Sequence, residues 1–345
     1  MMEIDGSYGE GGGQLLRTAV ALAAVTGKPF RIRHVRAKRA SAGLAAQHLT
    51  AVKAVAELCQ ATVEGLAVGS RELAFVPGAM RGGRFRFDVG TAGSITLVLQ
   101  ALLPVMLASA RRFDIVVTGG SDVRAAPPLD YFERVLLPLL ARLGAKTALT
   151  VVKRGYYPRG GGEITLRVAP SRLIAANLEE RGRLFSIAGV AHVAHLPEHI
   201  ALRMRDAALA RLRSGKMEAT PDIAARVLAP GAAHGPGGAV VLWAQTEHTV
   251  LGAGRVAQRG VPAERLGEEA AAELCADLAA GATLDVHAAD QLLIYLSLAG
   301  GRSAFLAREL STHAETAMWL LGQFLPVSFS VTRAGALTRV EVIPR

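Results

Sequence analysis

The chain has 345 residues, which suggests about two domains of roughly 100 to 200 residues each and excludes a peptide hormone or a mini-protein. Hydrophobic residues make up 51% and charged residues 20%, so a compact globular protein is expected and a disordered chain is excluded. Lys and Arg outnumber Asp and Glu by 39 to 29, and the net charge of +10 favours phosphate-bearing partners over acidic ones.

The first predicted unit has the element order β-α-β-α-β-β. A run of apolar and small residues from Gly13 to Val25 predicts a buried helix, which ends at Gly27, Lys28 and Pro29. Alternating and helical spacings of apolar residues predict the other elements of the unit. These are the strands Glu3 to Asp5, Phe30 to Val35, Ala61 to Leu66 and Glu72 to Val76, and the helix Leu44 to Leu58.

The same order is predicted twice more along the chain. Each unit begins with an apolar residue and an aspartate, at Ile4-Asp5, Phe87-Asp88 and Leu284-Asp285, which predicts an internal triplication. The second unit comprises strands Phe85 to Val89, Phe113 to Val117, one near Leu149, and Glu163 to Val168, with helices Ser94 to Leu107 and Leu129 to Leu143. The third comprises strands Leu284 to Val286, Ser303 to Ala307, Val327 to Val331 and Leu337 to Ile343, with helices Asp290 to Leu298 and His313 to Phe324.

An extra segment at residues 175–281 separates the second unit from the third. It is expected to form a small inserted α+β domain. Its predicted elements are the strands Leu184 to Val193 and Ala239 to Ala244 and the helices Pro197 to Leu212 and Pro262 to Leu278. The expected fold class is therefore α/β (α+β), with the three units forming one large domain at residues 1–174 and 282–345.

Cysteine content and hydropathy predict a cytoplasmic protein. Cys59 and Cys275 are far apart in apolar helical patterns, so neither a disulfide framework nor a cysteine zinc site is indicated. The start of the chain lacks the features of an export signal, and no run of about 20 uncharged apolar residues occurs. No membrane partner is expected.

The glycine run from Gly9 to Gln14 is the first candidate for chemistry. It opens a buried helix, where free backbone N–H groups and the helix dipole can bind a phosphate. Glu10 would repel a phosphate unless a divalent cation lay between them, which points to Mg²⁺ or Mn²⁺. A tight turn with a solvated glutamate is the structural alternative. The P-loop, dinucleotide-binding and Gly-x-Ser-x-Gly patterns do not occur in the chain.

Three further groups of residues carry a functional and a structural interpretation. The basic residues from Arg31 to Arg39 could bind RNA phosphate or form a solvated strand edge, and no aromatic residues interleave with them to stack several bases. The segment from Arg154 to Gly162 is either a hairpin tip or a functional loop. His313 opens a helix of the third unit, where the dipole would keep a neutral nucleophile, although histidines at such positions are often structural.

Five motifs together closely resemble the RNA 3′-terminal phosphate cyclase family. They are Glu10-Gly-Gly-Gly-Gln14-x-x-Arg17, Arg36-x-x-Arg39, Gln47-His48-Leu49, Arg154-Gly-x-x-Pro158-x-Gly-Gly-Gly162 and Asp290-Gln291, and the resemblance runs nearly end to end. The family architecture is three β-α-β-α-β-β units with a small inserted domain, in agreement with the repeat interpretation. The arginine–proline–triple-glycine motif is its most specific signature.

The resemblance implies ATP-dependent conversion of an RNA 3′-phosphate end to a 2′,3′-cyclic phosphodiester, through a histidine–AMP intermediate and an RNA-adenylate. His313 stands at the position of the nucleophile. ATP and Mg²⁺ or Mn²⁺ are the implied cofactors, and RNA with a 3′-phosphate end is the implied partner. The oligomeric state is left open.

The resemblance also implies the roles of individual residues. Glu10 would hold the metal. The residues implied to clamp triphosphate or RNA phosphate are Arg17, Arg36, Arg39 and Gln47. Those implied to contact the nucleotide are Gln100, Pro127, His287, Asp290 and Gln291. Those implied to form the phosphate and RNA loops are Gly11, Gly12, Gly13, Arg154, Gly160, Gly161 and Gly162.

Two positions depart from the family pattern, and two other functions stay open. Many relatives carry an aromatic residue at the position of His287, and an arginine often precedes Gln47, where this chain has Ala46. The alternatives are a non-catalytic RNA-binding ribosome-assembly scaffold of the same fold, which would lack the histidine, and an enolpyruvyl-type transferase, which would lack the arginine–triple-glycine motif.

Overall fold

The computed structural model describes residues 1–215 and 217–345. Both helices and strands occur along these ranges, and the strands form four sheets that each contain parallel and antiparallel pairs. The predicted α/β (α+β) fold class is confirmed.

The first sheet has the strand order β1-β2-β4-β3. Its strands are β1 (Met2–Asp5), β2 (Phe30–Arg33), β3 (Thr62–Glu64) and β4 (Leu73–Val76). β1 and β2 are parallel and are joined by α1 (Gly13–Thr26), while α2 (Ala46–Leu58) joins β2 to the antiparallel strands β3 and β4. Helix α1 ends where predicted, because Gly27 adopts the left-handed conformation that a side chain disfavours.

The second sheet repeats this pairing, in the order β5-β6-β8-β7. Its elements in chain order are β5 (Gly83–Asp88), α3 (Ile95–Ala108), β6 (Phe113–Gly119), α4 (Leu129–Tyr131), α5 (Leu137–Arg142), β7 (Thr147–Gly155) and β8 (Gly162–Val168). The single helix predicted from Leu129 to Leu143 is interrupted by a π-helical turn at Phe132–Leu136. Pro138 follows this turn and lacks the N–H that a continuous α-helix would use.

The chain then forms a short strand and enters the inserted segment. The elements are β9 (Asn177–Leu178), β10 (Leu184–Ala194), α6 (Glu198–Ser214), β11 (Pro221–Val227), β12 (Ala233–His234), β13 (Gly237–Thr246), β14 (Val250–Val256) and α7 (Ala263–Ala280). Strands β11, β10, β13 and β14 form a sheet in that order, and β12 extends the second sheet beside β7. The sequence analysis missed β11 and β14, which are a half-exposed strand and a glycine-containing strand.

The third sheet has the order β16-β17-β15-β9. The chain here forms α8 (Val286–Leu298), β15 (Ser303–Ala307), α9 (Thr312–Phe324), β16 (Val327–Ala334) and β17 (Leu337–Pro344). The strand predicted from Leu284 to Val286 is wrong, because only Leu284 makes a bridge, to Ala307. Asp285 instead caps α8 by accepting hydrogen bonds from the backbone N–H groups of His287 and Ala288, so the helix begins at once.

The edge of β15 explains how the inserted segment joins the third sheet. Asn177 and Leu178 pair with this strand in parallel, and Leu284 bridges to the same strand from the other end of the insert. The segment before the insert and the segment after it therefore lie one after the other along the same edge of β15. The boundaries at residues 174 and 281 stay a prediction, and the pairing assigns Asn177 and Leu178 to the third sheet.

Helix α3 lies at the centre of the main core. Its residues are almost all buried, and it packs against α1, α2 and α8, while α9 packs against α1 and α8. The apolar side chains of these helices share one core with three of the sheets, and the inserted segment has a second core of its own. No helix within the described ranges combines the length and the apolar character that a membrane span requires.

Candidate active site

A cavity of about 700 Å³ lies where α1, α2, α3, α8 and α9 meet the inserted segment. Its volume is in the range of pockets that hold small-molecule ligands and cofactors. Residues 123–128, between β6 and α4, form part of its wall, and residues 254–256 of β14 form another part.

The cavity brings together predicted site residues that are far apart in the sequence. Those that line it are Gly13, Arg17, Arg36, Arg39, Gln47, Gln100, Pro127, His287, Asp290, Gln291 and His313. Those that lie outside its wall are Glu10, Gly11, Gly12, Arg154, Gly160, Gly161 and Gly162. The roles assigned to all of these residues stay predictions.

The first turns of three helices meet at the cavity. Gly13 begins α1, Gln47 is the second residue of α2, and His313 is the second residue of α9. The backbone N–H groups of a first helical turn have no partner within the helix and attract anions. Gly13 must be a glycine here, since a Cβ at this position would lie 2.0 Å from Nε2 of His48.

Arg17 is a buried cation that makes no ion pair with the residues the structure describes. Its Nε atom also has no hydrogen-bond partner. Burial lowers the pKa of Arg17 to about 10, although the nearby Asp290 carboxyl acts in the opposite direction. A buried charge without a partner is costly, so the cavity favours a negatively charged guest.

His313 is half-buried beside these cations. Burial lowers the pKa of its imidazole below 6.5, and Arg17, Arg39 and His287 lower it further. Its Nδ1 atom is buried without a hydrogen-bond partner and lies 3.7 Å from Oε2 of Glu10. The sequence argument rested on the helix dipole, whereas burial is the largest cause in the structure; both favour a neutral imidazole near pH 7.

Glu10 is held at the edge of the cavity. Its backbone N–H donates to Thr316 Oγ1 at 3.0 Å, and its nearly buried carboxylate pairs with Arg39. Mg²⁺ in proteins is commonly bound by one or two carboxylates together with substrate phosphates and water. Glu10 therefore fits the protein share of such a site, with the remaining oxygen ligands supplied by a phosphate.

The opposite part of the wall is formed by amide and carboxyl side chains. Gln100 Nε2 donates to Oε1 of Gln291 at 2.8 Å, and Gln291 Nε2 donates to the carbonyl of His287 at 2.9 Å. Asp290 accepts a hydrogen bond from Ser311 at 3.1 Å, and burial raises its pKa to about 7. These groups offer hydrogen-bond donors and acceptors to a ligand in the cavity.

Two of the residues that are expected to bind phosphate also make contacts within the cavity wall. Gln47 Oε1 accepts a hydrogen bond from the backbone N–H of Ser94 at 3.1 Å, next to the start of α3. Arg36 donates to the carbonyl of Gly43 at 2.7 Å, and burial lowers its pKa. Both side chains therefore have fixed positions in the wall.

The sequence analysis missed several cavity residues. His48 was quoted within a motif but given no role; it is buried next to Gly13, and burial followed by three nearby arginines lowers its pKa to about 3. Arg255 lies in the inserted segment and pairs with Glu273 at 2.7 Å. The only sequence signal for His48 was its motif, and nothing local singled out Arg255.

Arg154 lies in an ion-pair network outside the cavity wall, with its side chain 11% exposed, and its predicted role in a phosphate and RNA loop stays a prediction. Its guanidinium donates to Asp122 at 3.0 Å and to Asp130 at 2.6 Å. His192 of the insert lies 3.4 Å from both Arg154 and Asp130. In the described part of the chain, one group of three potential metal ligands lies close together, and it comprises Asp122, Asp130 and His192. Both carboxylates of this group already pair with the guanidinium of Arg154.

Comparison with known proteins gives consistent matches. The family model described as RNA 3′-terminal phosphate cyclase matches residues 8–331. A protein of Nitrosospira multiformis called RNA 3′-terminal phosphate cyclase is 56% identical over 100% of this chain and 97% of its own length. Proteins with the same name from Pyrobaculum neutrophilum and Methanopyrus kandleri are 47% and 43% identical, over 99% and 100% of this chain and 98% and 99% of their own lengths.

Proposed function

The chain belongs to the RNA 3′-terminal phosphate cyclase family, and on this premise we propose that it converts an RNA 3′-phosphate end to a 2′,3′-cyclic phosphodiester at the expense of ATP. The observation that carries the proposal is the position of the half-buried imidazole of His313, whose pKa is lowered by burial, in the same cavity as the unpaired cation of Arg17. The proposed nucleophile and a binding site for the negatively charged triphosphate of ATP would therefore lie in the same cavity.

The proposed reaction has three steps. First, a ring nitrogen of His313 attacks the α-phosphorus of ATP, an N–P bond forms and pyrophosphate leaves. An oxygen of the RNA 3′-phosphate then attacks the same phosphorus, the N–P bond breaks and the imidazole returns. Finally, the vicinal 2′-hydroxyl attacks the terminal phosphate, loses its proton and displaces AMP. Activation is needed because a phosphomonoester dianion is a poor electrophile.

The residues of the cavity would divide the work between phosphate and nucleoside. Arg17, Arg36 and Arg39 would bind phosphate oxygens and stabilise charge as the transition state forms, with the amide of Gln47 beside them. The groups that would recognise the nucleoside are Gln100, Pro127, His287, Asp290 and Gln291. His287 lies edge-on to Tyr131 at 6.2 Å, which orients a ring that could stack on a base.

Glu10 has two roles in this proposal. Its carboxylate lies 3.7 Å from Nδ1 of His313, and its negative charge would favour the tautomer with the proton on Nδ1, which leaves the lone pair on the other ring nitrogen for the attack. It would also hold Mg²⁺ or Mn²⁺, which when bound neutralises charge on the phosphate oxygens. We also propose a cytoplasmic location, supported by the free and buried state of both Cys59 and Cys275.

The experiment that tests the proposal is labelling of the protein with α-³²P-ATP in Mg²⁺ or Mn²⁺, followed by denaturing gels. Wild-type protein is expected to carry an acid-labile, alkali-stable label that His313→Ala lacks. His199→Ala is the matched control, because His199 is an exposed histidine of α6 outside the cavity wall. Equal labelling of His313→Ala would contradict the nucleophile assignment, and no label in any protein would favour the non-catalytic RNA-binding scaffold.

A further inference from the structure

Tyr8 forms an aromatic pair with Trp319, which lies on the same helix as the proposed nucleophile. Their ring centroids lie 3.9 Å apart and their planes differ by 20°. Trp319 is half-buried on α9, whereas Tyr8 is 44% exposed. One face of the Tyr8 ring is therefore backed by the indole while the ring remains accessible to solvent.

The segment from Tyr8 to Glu10 runs along α9 from Trp319 toward His313. Tyr8 stacks on Trp319, the next two residues contact Thr316, and the Glu10 carboxylate reaches His313. The fit at Thr316 is close, since a Cβ on Gly9 would lie 2.2 Å from Thr316 Oγ1. Trp319 is the sixth residue after His313 on α9, which corresponds to about 9 Å along the helix axis.

Positive charge accompanies the aromatic pair. The exposed Lys38 donates to the carbonyl of Gly9 at 2.7 Å and its stem lies against Gly11. Arg39 follows it and lines the cavity. The sequence contained no aromatic residues among these basic residues, but the fold brings Tyr8 to them from another part of the chain.

We propose that Tyr8, backed by Trp319, stacks on a base of the substrate RNA a short distance upstream of its 3′ end. A path of about 9 Å spans roughly three stacked nucleotides at about 3.4 Å each. Aromatic rings next to cations are the usual platform for single-stranded nucleic acid, because every base has a π-face and the cations track the phosphates. This inference rests on the proposed function and assigns its RNA an upstream contact.

The test uses short oligoribonucleotides with a 3′-phosphate, in which single upstream nucleotides are replaced by abasic ones. For the wild type, an abasic residue at the stacked position is expected to raise the KM for cyclisation by about 5-fold to 150-fold. Tyr8→Ala is expected to raise the KM for intact RNA by the same factor and to show no further loss with that abasic RNA. Tyr8→Phe keeps the ring and is expected to restore the affinity.

Phe185→Ala is the matched control, because Phe185 is an exposed aromatic residue on the sheet of the insert. It is expected to leave the KM unchanged. An unchanged KM in Tyr8→Ala would overturn the proposal and would favour a protein partner for the aromatic pair. The proposal would also be overturned if the rise in KM caused by Tyr8→Ala added fully to the rise caused by an abasic nucleotide at every position. ATP labelling of the same proteins separates this failure from failure of the proposed function, in which no protein would carry label.

Discussion

At the scale of single residues, the surroundings of His313 set its protonation state. Burial and three neighbouring cationic or titratable groups disfavour the imidazolium, so the ring stays neutral at pH values where a free histidine begins to gain a proton. His48 shows the same effect more strongly, since it is more deeply buried and faces Arg17, Arg36 and Arg39. The proposed nucleophile is therefore available without a separate base.

The ring of His313 is expected to titrate below pH 6.5. An NMR titration of ring carbons or nitrogens in protein without nucleotide measures this directly, and His313→Ala identifies the signal. Because the folded-state pKa is depressed, protonation sets in only as the pH falls below the ordinary value. A midpoint at or above 6.5 would contradict the structural argument.

Asp290 is a buried carboxyl group with the opposite shift. Its pKa rises from 3.8 to about 7, chiefly because burial disfavours the carboxylate. Between these pH values the folded protein holds a proton that the unfolded chain releases, so this group stabilises the fold at low pH and loses that contribution as the pH rises through about 7. The shift corresponds to roughly 4 kcal/mol.

Asp290→Asn is therefore expected to remove part of the decline in stability between pH 4 and pH 7. Urea denaturation of both proteins at several pH values measures the free energy of unfolding, and the variant should gain relative to wild type as the pH rises. Asp222→Asn, at an exposed aspartate of the insert, is the control. Parallel pH curves for Asp290→Asn and wild type would refute the expectation.

At the scale of elements, one arginine holds both ends of a segment that forms cavity wall. Asp122 follows β6 and Asp130 lies in α4, and the residues between them include the wall residues 123–128. Arg154 of β7 binds both carboxylates, and Asp122 also accepts the backbone N–H of Leu129 at 3.1 Å. Arg154 thus holds the wall residues 123–128 in place without lining the cavity itself.

Arg154→Met is expected to lower the free energy of unfolding by about 3–5 kcal/mol, because it leaves two buried carboxylates without their cation. Urea denaturation provides the measurement. Arg167→Met is the control: this arginine of β8 is 70% exposed and lies 3.7 Å from Asp114, so its loss should cost at most about 1 kcal/mol. Equal effects of the two substitutions would contradict the positioning role.

At the scale of the whole molecule, the inserted segment is joined to the three-sheet body by buried contacts. Val241 and Val250 belong to the main core, and the backbone N–H of Gly252 donates to the Asp285 carboxylate at 2.9 Å. His192 reaches the network of Arg154. These contacts are of the kind that make neighbouring parts of a chain unfold together.

The two tryptophans allow this to be measured, since Trp243 lies in the insert and Trp319 in the body. Trp319→Phe leaves a fluorescence probe of the insert, and Trp243→Phe leaves a probe of the body. For each single-tryptophan variant, the urea midpoint from fluorescence is expected to agree with that from circular dichroism. A tryptophan transition that precedes the circular-dichroism transition would show that the insert and the body unfold separately.

The sequence by itself determined most of the elements, and it predicted the chemistry of the site. Helix α1 follows from a local apolar run and its glycine stop, and most strands follow from alternation, because these patterns depend only on neighbouring residues. The strand predicted at Leu284 was wrong because two local patterns compete there. The apolar alternation favours a strand, whereas the side chain of Asp285 caps a helix. The family resemblance pointed to His313 and to arginines that are expected to bind phosphate.

Only the tertiary structure decided which distant residues meet. It paired Arg154 with two buried carboxylates, placed Arg255 of the insert in the cavity wall and stacked Tyr8 on Trp319. Each contact joins residues from separate elements, so its formation depends on how sheets and helices pack and not on local spacing. The physical reason is that burial and charge pairing are properties of a three-dimensional neighbourhood, which a linear pattern does not contain.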